Sequence, residues 1–206
     1  MFLQAYFYYL HDTHETLIMI AKHTILALDI AGNPWAWLSA QEAIHYYAIG
    51  KVAWELGEED TVFRGGWSRA GIQSMIAVKP IIAVAGSGIM AKMLRPIPLG
   101  NDNNLLFKRD RYTCAYCGLV LGRHDLSRDH VLARSRGGED SWMNCVTSCR
   151  RCNCSKDAKL VSDFKPLLYV PYAPCRAEHF LLSGRHILAD QHEFLAASLP
   201  RHSRLL

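Results

Sequence analysis

The sequence predicts an α+β protein in three parts, residues 1–104, 105–165 and 166–206. Three observations carry that expectation. Strand-like and helix-like runs alternate through the first hundred residues. The stretch RPIPLGNDNN at 95–104 holds two prolines and a run of Gly, Asn and Asp, which cannot sustain a helix or a central strand and so marks a boundary. Four of the seven cysteines fall into two Cys-x-x-Cys pairs, Cys114 with Cys117 and Cys149 with Cys152. Half of the 206 residues are hydrophobic and a fifth are charged, the ordinary balance of a folded chain.

TILALDI from Thr24 is a strand candidate, and AGNP after it is turn chemistry. Ser39-Ala-Gln-Glu42 is a capping-box pattern that predicts a helix over 40–49, closed by Gly50. Ala43, Ile44, Tyr47 and Ala48 share one face of it and read as core. KVAWEL is a second strand. Arg64 to Arg69, with Gly65, Gly66 and Trp67, reads as a loop. SMIAVKPIIAVAG adds a strand that Pro80 forces to an edge or a break. Trp35, Trp37, Trp54 and Trp67 read as packing groups, the alternative being a DNA-positioning surface. After KPLLYVPYAPC, helical patterns fall near 176–182 and 185–198, with an apolar stripe of Ile187, Leu188, Gln191, Phe194 and Leu195. The tail RHSRLL reads as basic and loose.

The apolar run PIIAVAGSGIMA is too short to cross a bilayer, which needs roughly 20 residues, and reads as a buried strand or core helix. The start, MFLQAYFYYLHDTHE, lacks a basic leader and a small-residue cleavage site, so a cytoplasmic chain is expected. Cysteines there serve more often as metal ligands than in disulfides. Four thiolates at these spacings suit tetrahedral zinc. A redox dithiol would need only one pair and a βαβ setting, which is missing. Cys145, Cys154 and Cys175 fall outside the pattern and read as buried or free thiols, the alternative for Cys145 and Cys154 being rival ligands. His124 reads as a surface residue.

The 31 residues between Cys117 and Cys149 exceed the roughly 15–20 of compact four-cysteine sites. They must fold into something, and their pattern is strand, long loop, strand, then a helix starting near Cys149. Charge concentrates in the same segment. Residues 105–165 hold 12 Lys and Arg against 7 Asp and Glu, while the rest of the chain is close to balanced. A local basic surplus points to an anionic partner, nucleic acid being the commonest.

Phosphodiester hydrolysis needs a water, a base to deprotonate it and a cation to neutralise developing charge. Asp129 offers a carboxylate oxygen and Asn153 an amide oxygen, the donors a hard divalent cation prefers. His130 is an imidazole base. On an ideal strand, however, neighbours 129 and 130 point to opposite sides, so a bend or twist is needed to serve one phosphate.

The string YTCAYCG…LSRDHVLARSRGGEDSWMNCVTSCRRCNCSK resembles the HNH endonuclease family, whose nuclease core has the ββα-metal fold. The resemblance covers roughly 105–160: both cysteine knuckles, Asp129-His130, the Ser-Arg-Gly-Gly loop, Trp142-Met-Asn144 and Cys152-Asn153-x-x-Lys156. The stretch from Ile25 to Leu56 also resembles, less specifically, the part preceding this motif in small bacterial members. The resemblance implies a metal-dependent endonuclease acting on DNA. His130 is then the general base, Asp129 and Asn153 the protein ligands of a catalytic Mg²⁺, with Mn²⁺ or Ni²⁺ as substitutes, and Asn144 the residue that holds the loop. Cys114, Cys117, Cys149 and Cys152 become the ligands of a structural zinc remote from the chemistry. Arg134, Arg136, Arg150, Arg151 and Lys156 are the expected phosphate contacts. The chain departs from the family pattern at Ala133, where Pro is usual, at Asp157, where Gly is usual, and in lacking a following Arg, with Lys159 as a stand-in. The rival reading is a zinc-stapled module that binds nucleic acid without cutting it. Sequence specificity, biological role and the choice between monomer and homodimer are not readable from these residues.

Overall fold

Two runs without a polar side chain, ILAL and IIAV, are buried on both faces and form the centre of a sheet. The computed structural model describes residues 24–58 and 61–206; the reading of residues 1–15 lies outside them. β1 (Ile25–Leu28) turns back into β2 (Pro34–Leu38). Asp29 builds that turn, its Oδ1 accepting the N–H groups of Ala31 and Asn33 at 3.0 and 2.7 Å. α1 (Ala40–Ala48) carries the expected capping box, Ser39 and Glu42 satisfying each other's backbone N–H. Its inner face is Ala43, Ile44, Tyr46 and Tyr47; Ala48 is exposed.

β3 (Val52–Leu56), β4 (Thr61–Trp67), β5 (Gln73–Val78) and β6 (Ile81–Val84) follow. The main sheet runs β2-β1-β6-β3, with β1 and β6 parallel and the other pairs antiparallel. Pro80 breaks the predicted single strand in two and stays outside both halves, so β6 can occupy the centre of the sheet. The segment read as a loop at 64–69 is instead largely strand. β4 pairs with β5 as a separate hairpin whose register shifts between Arg64 and Trp67, a bulge that accommodates Gly65 and Gly66. Trp35 is buried, Trp37 and Trp54 pack at the sheet, and Trp67 is exposed.

Strand alternation divides the core into two layers. Ile25, Ala27, Ile82 and Val84 face α1 and α2 (Ser87–Met93), so the apolar run at 80–91, read as a buried strand or core helix, is in fact strand and then helix. Leu26, Leu28, Ile81 and Ala83 face the C-terminal helices α5 (Arg176–Ser183) and α6 (Ala189–Ala196). The tail is pinned rather than loose. Ser203 Oγ donates to Glu178 Oε1 at 2.9 Å, and the Arg204 guanidinium lies 3.9 Å from the Tyr169 ring centroid.

Between these layers in sequence lies the predicted strand–loop–strand–helix: α3 (Asn104–Arg109), β7 (Leu126–His130), β8 (Cys145–Cys149) and α4 (Arg150–Lys156). No helix or strand occurs over residues 94–103. Arg109 and Asp110 are wholly buried as an ion pair. Arg109 donates to the carbonyls of Trp142, Tyr172 and Cys145, and Asp110 accepts the Thr147 N–H. Every member of this network is hydrogen-bonded, the condition under which buried charge is tolerated. It joins β8 to residues of the C-terminal part. Among the described residues no helix is long and apolar enough to cross a membrane.

Candidate functional site

The two Cys-x-x-Cys turns meet because β8 ends where α4 begins. Cys149 is the N-cap of α4, its Sγ accepting the Cys152 N–H at 3.3 Å, which puts both sulfurs on one side of the first turn. The opposite knuckle closes through Gly118 at φ +74°. Sγ atoms of Cys114, Cys117, Cys149 and Cys152 all lie within 4.8 Å of one another, so the four fit a single tetrahedral zinc. Burial alone would push the Cys114 thiol up, but backbone N–H groups of Cys149, Tyr116 and Cys117 bring it down to about 6. One thiolate is thus available to start ligation.

β7 and β8 pair antiparallel with Asp129 opposite Val146 and His130 opposite Cys145. As strand periodicity requires, Asp129 is buried while His130 is partly exposed. Even so, both line one open cleft of about 450 Å³ together with Arg128, Arg134, Asn153 and Asp157. No sharp bend is needed, because β7 ends at His130 and the loop and helix α4 wrap around that end.

Each chemical group has a distinct tether. Asp129 Oδ2 accepts the Tyr116 hydroxyl at 2.5 Å, and Oδ1 lies 3.3 Å from Lys156 Nζ. Burial and the adjacent carboxylate push the Tyr116 phenol well above its ordinary range, so it stays a donor. A carboxylate has about four lone-pair directions, so Asp129 keeps capacity for a cation, with Tyr116 and Lys156 as its orienting partners. Asn153 donates through Nδ2 to Ser127 Oγ and Arg128 O at 2.9 and 3.1 Å. Its Oδ1, the atom that suits a hard cation, accepts no hydrogen bond among the described residues. Asn144 holds the loop, accepting the Leu132 N–H and donating to Leu132 O and Glu139 O. Gly138 is required beneath it, since an added Cβ would stand 1.7 Å from Leu132 O.

His130 Nε2 is 3.1 Å from Asp140 Oδ1. Burial pushes the Asp140 carboxyl up, but hydrogen bonds from Arg128 and Cys145, the Arg128 charge and the His130 contact together hold it below the usual range. An ionised Asp140 must accept, so in the neutral imidazole Nε2 is the nitrogen that carries the proton and Nδ1 the one with the lone pair. Among the described residues Nδ1 has no hydrogen-bond partner. Sequence reading missed Asp140, Arg128 and Tyr116. Asp140 was visible only as the acid of the Gly-Gly-Glu-Asp loop, and nothing local in the chain signals that the loop folds back onto His130.

The expected phosphate contacts separate. Arg134 lines the cleft. Arg136 and Arg151 are exposed, Arg136 tied to Ala158 O. Arg150 is tied to His124 O and lines a different cavity, with Asp102 and Arg123. Lys156 is fully buried, bound to Asp129 and to His130 O, so it is a partner of the carboxylate rather than a phosphate contact. His124 and Cys154 are exposed, and Cys145 is buried with its thiol pushed up to about 12, mainly by burial and then by Asp140.

Asp157 ends α4 at φ 47°, ψ −128°, a region that favours glycine. The family's usual glycine there now has a physical reason. Asp157→Gly is expected to stabilise the protein by about 1 kcal/mol, relief of strain outweighing the added chain entropy. Thermal unfolding of the two proteins measures it, and a lowered midpoint would contradict the strain assignment.

Residues 114–166 match the model of the HNH endonuclease family. No curated protein matches the chain.

Proposed function

We propose that the protein is a metal-dependent endonuclease that hydrolyses phosphodiester bonds of DNA, a reading supported by the match of residues 114–166 to the HNH endonuclease family model. The observation that carries this reading is the shared cleft of Asp129, His130 and Asn153. A module that only bound nucleic acid would need the cysteines and the arginines, but not a base with a free Nδ1 beside an uncommitted amide oxygen.

Asp129 and Asn153 would hold the divalent cation, and their oxygen donors select Mg²⁺ or Mn²⁺. Bound there, the cation supplies neutralisation of charge on the phosphate and the leaving oxygen. His130 takes the proton of the attacking water at Nδ1. The imidazolium that results is stabilised at Nε2–H by Asp140, which Arg128 holds in place through two contacts of 2.7 and 2.8 Å. Arg134 contributes a phosphate contact at the cleft wall. The zinc clamp does none of this chemistry; it would staple the Cys114–Cys117 knuckle to the junction of β8 and α4, from which Asn153 projects.

Supercoiled plasmid incubated with the full chain tests the reading. Nicking with Mg²⁺ or Mn²⁺ that stops with a chelator supports it. Salt-sensitive binding with no cleavage under any divalent metal replaces it with the binding module.

A further inference from the structure

We propose that His130, Asp140 and Cys145 form a second metal site, for a thiophilic divalent cation of the Zn²⁺, Co²⁺ or Cd²⁺ class, and that filling it switches the base off. The switching half rests on the nuclease reading; the binding half does not.

The register builds the site. His130 and Cys145 are directly opposed across β7 and β8, so their side chains share one face of the ribbon. The loop that Asn144 staples brings Asp140 onto the same face. Imidazole nitrogen, carboxylate oxygen and sulfur lie within 4.8 Å of one another. Asp140 Oδ1 is 3.1 Å from His130 Nε2 and 3.3 Å from Cys145 Sγ. Tetrahedral zinc, with ligands at about 2.0–2.3 Å, separates its ligand atoms by roughly 3.3–3.7 Å. Two of the three edges therefore need adjustments of only tenths of an ångström. Asp140 and His130 reach solvent, which gives a cation an entry side and leaves a fourth position for water, whereas Cys145 is buried behind them.

The donor set decides which cation. One thiolate and one imidazole suit zinc and its neighbours and do not suit Mg²⁺, so this site and an Asp129–Asn153 site select different metals. Arg128, paired to Asp140, opposes a cation and makes the site weaker than the four-thiolate clamp, which fills first. Binding forms a metal–sulfur bond and releases the Cys145 thiol proton to solvent. No electron is transferred. At His130 the metal takes the Nε2 lone pair, and the ring proton moves to Nδ1. The atom that would accept a proton from water then carries one itself.

The test uses full-length protein loaded with one zinc per chain. Titrated with Co²⁺, it should take up a second equivalent with thiolate-to-cobalt absorption in the near ultraviolet, while retaining its zinc through gel filtration. Cys145→Ala should take up none. In native protein, Mg²⁺-dependent cleavage should fall about a hundredfold or more as the second equivalent of Zn²⁺ binds, the order of a lost general base. Absence of a second equivalent, or the same spectrum from Cys145→Ala, overturns the site. Uptake without loss of cleavage overturns the switch. If Cys145→Ala does not fold, nitrogen NMR of native His130 decides instead: zinc must move the proton from Nε2 to Nδ1, and an unchanged tautomer overturns the proposal. A protein inert with Mg²⁺ alone refutes the nuclease reading, and the cobalt titration still decides the site.

Discussion

His130→Ala will lower the rate of Mg²⁺-dependent DNA cleavage by roughly 10²–10⁴-fold, the usual worth of a positioned general base. The fold should survive. His130 sits at the end of β7 with a partly exposed ring, and its strand hydrogen bonds come from the backbone. The loss should lie in kcat, because on the proposed reading DNA is held by phosphate contacts that the substitution leaves in place. Single-turnover cleavage with enzyme in excess separates the two. Equal rates from native and substituted protein would remove His130 from the chemistry.

Stripping zinc will unfold the unit from β7 to α4. Two strands of five residues and a helix of seven cannot bury enough surface to hold together alone. Cys114, Cys149 and Cys152 stand in their core beside Ala115, Tyr116 and Val146. Zinc ligation in small peptides is worth about 10–16 kcal/mol, as much as the whole stability of a typical domain, roughly 5–15 kcal/mol. Hydrogen exchange gives the readout. After chelation or Cys149→Ser, amides of 126–156 should lose protection, whereas those of β1 and β6, sealed on both faces, should keep it. Undiminished protection across 126–156 would show that the clamp is not what holds the unit.

How much of this was legible in the sequence follows from how local each cause is. The knuckles, the capping box at Ser39 and the order of strand, loop, strand and helix are set by residues within a few positions of one another. The loop-holding place of Asn144 was implied by the family resemblance rather than by the residue itself, and its three hydrogen bonds stay within its own loop. The β4–β5 hairpin was not legible because two glycines look like a loop until a partner strand supplies the bulge register. α2 carries no cap signal that separates it from the preceding strand run. At the site, the opposed directions of Asp129 and His130 were read correctly, and the cleft reconciles them only because α4 packs across the end of β7. Asp140 and Tyr116 reach their partners through loop closure and the zinc fold. Lys156 looked like a surface cation because charge is usually exposed, and only the tertiary position of Asp129 explains its burial.

The central claim is that Asp129 and Asn153 hold a hard cation beside His130, and Mn²⁺ tests it most directly. With zinc in the clamp and no DNA present, Mn²⁺ added to native protein should broaden the His130 ring resonances through paramagnetic relaxation. Asp129→Ala and Asn153→Ala should each weaken that effect at least tenfold in Mn²⁺ concentration, in line with the loss of a metal ligand or its partner. His130 resonances that stay sharp in native protein, or that broaden in the substituted proteins at the same Mn²⁺ concentration as in native protein, would contradict the account.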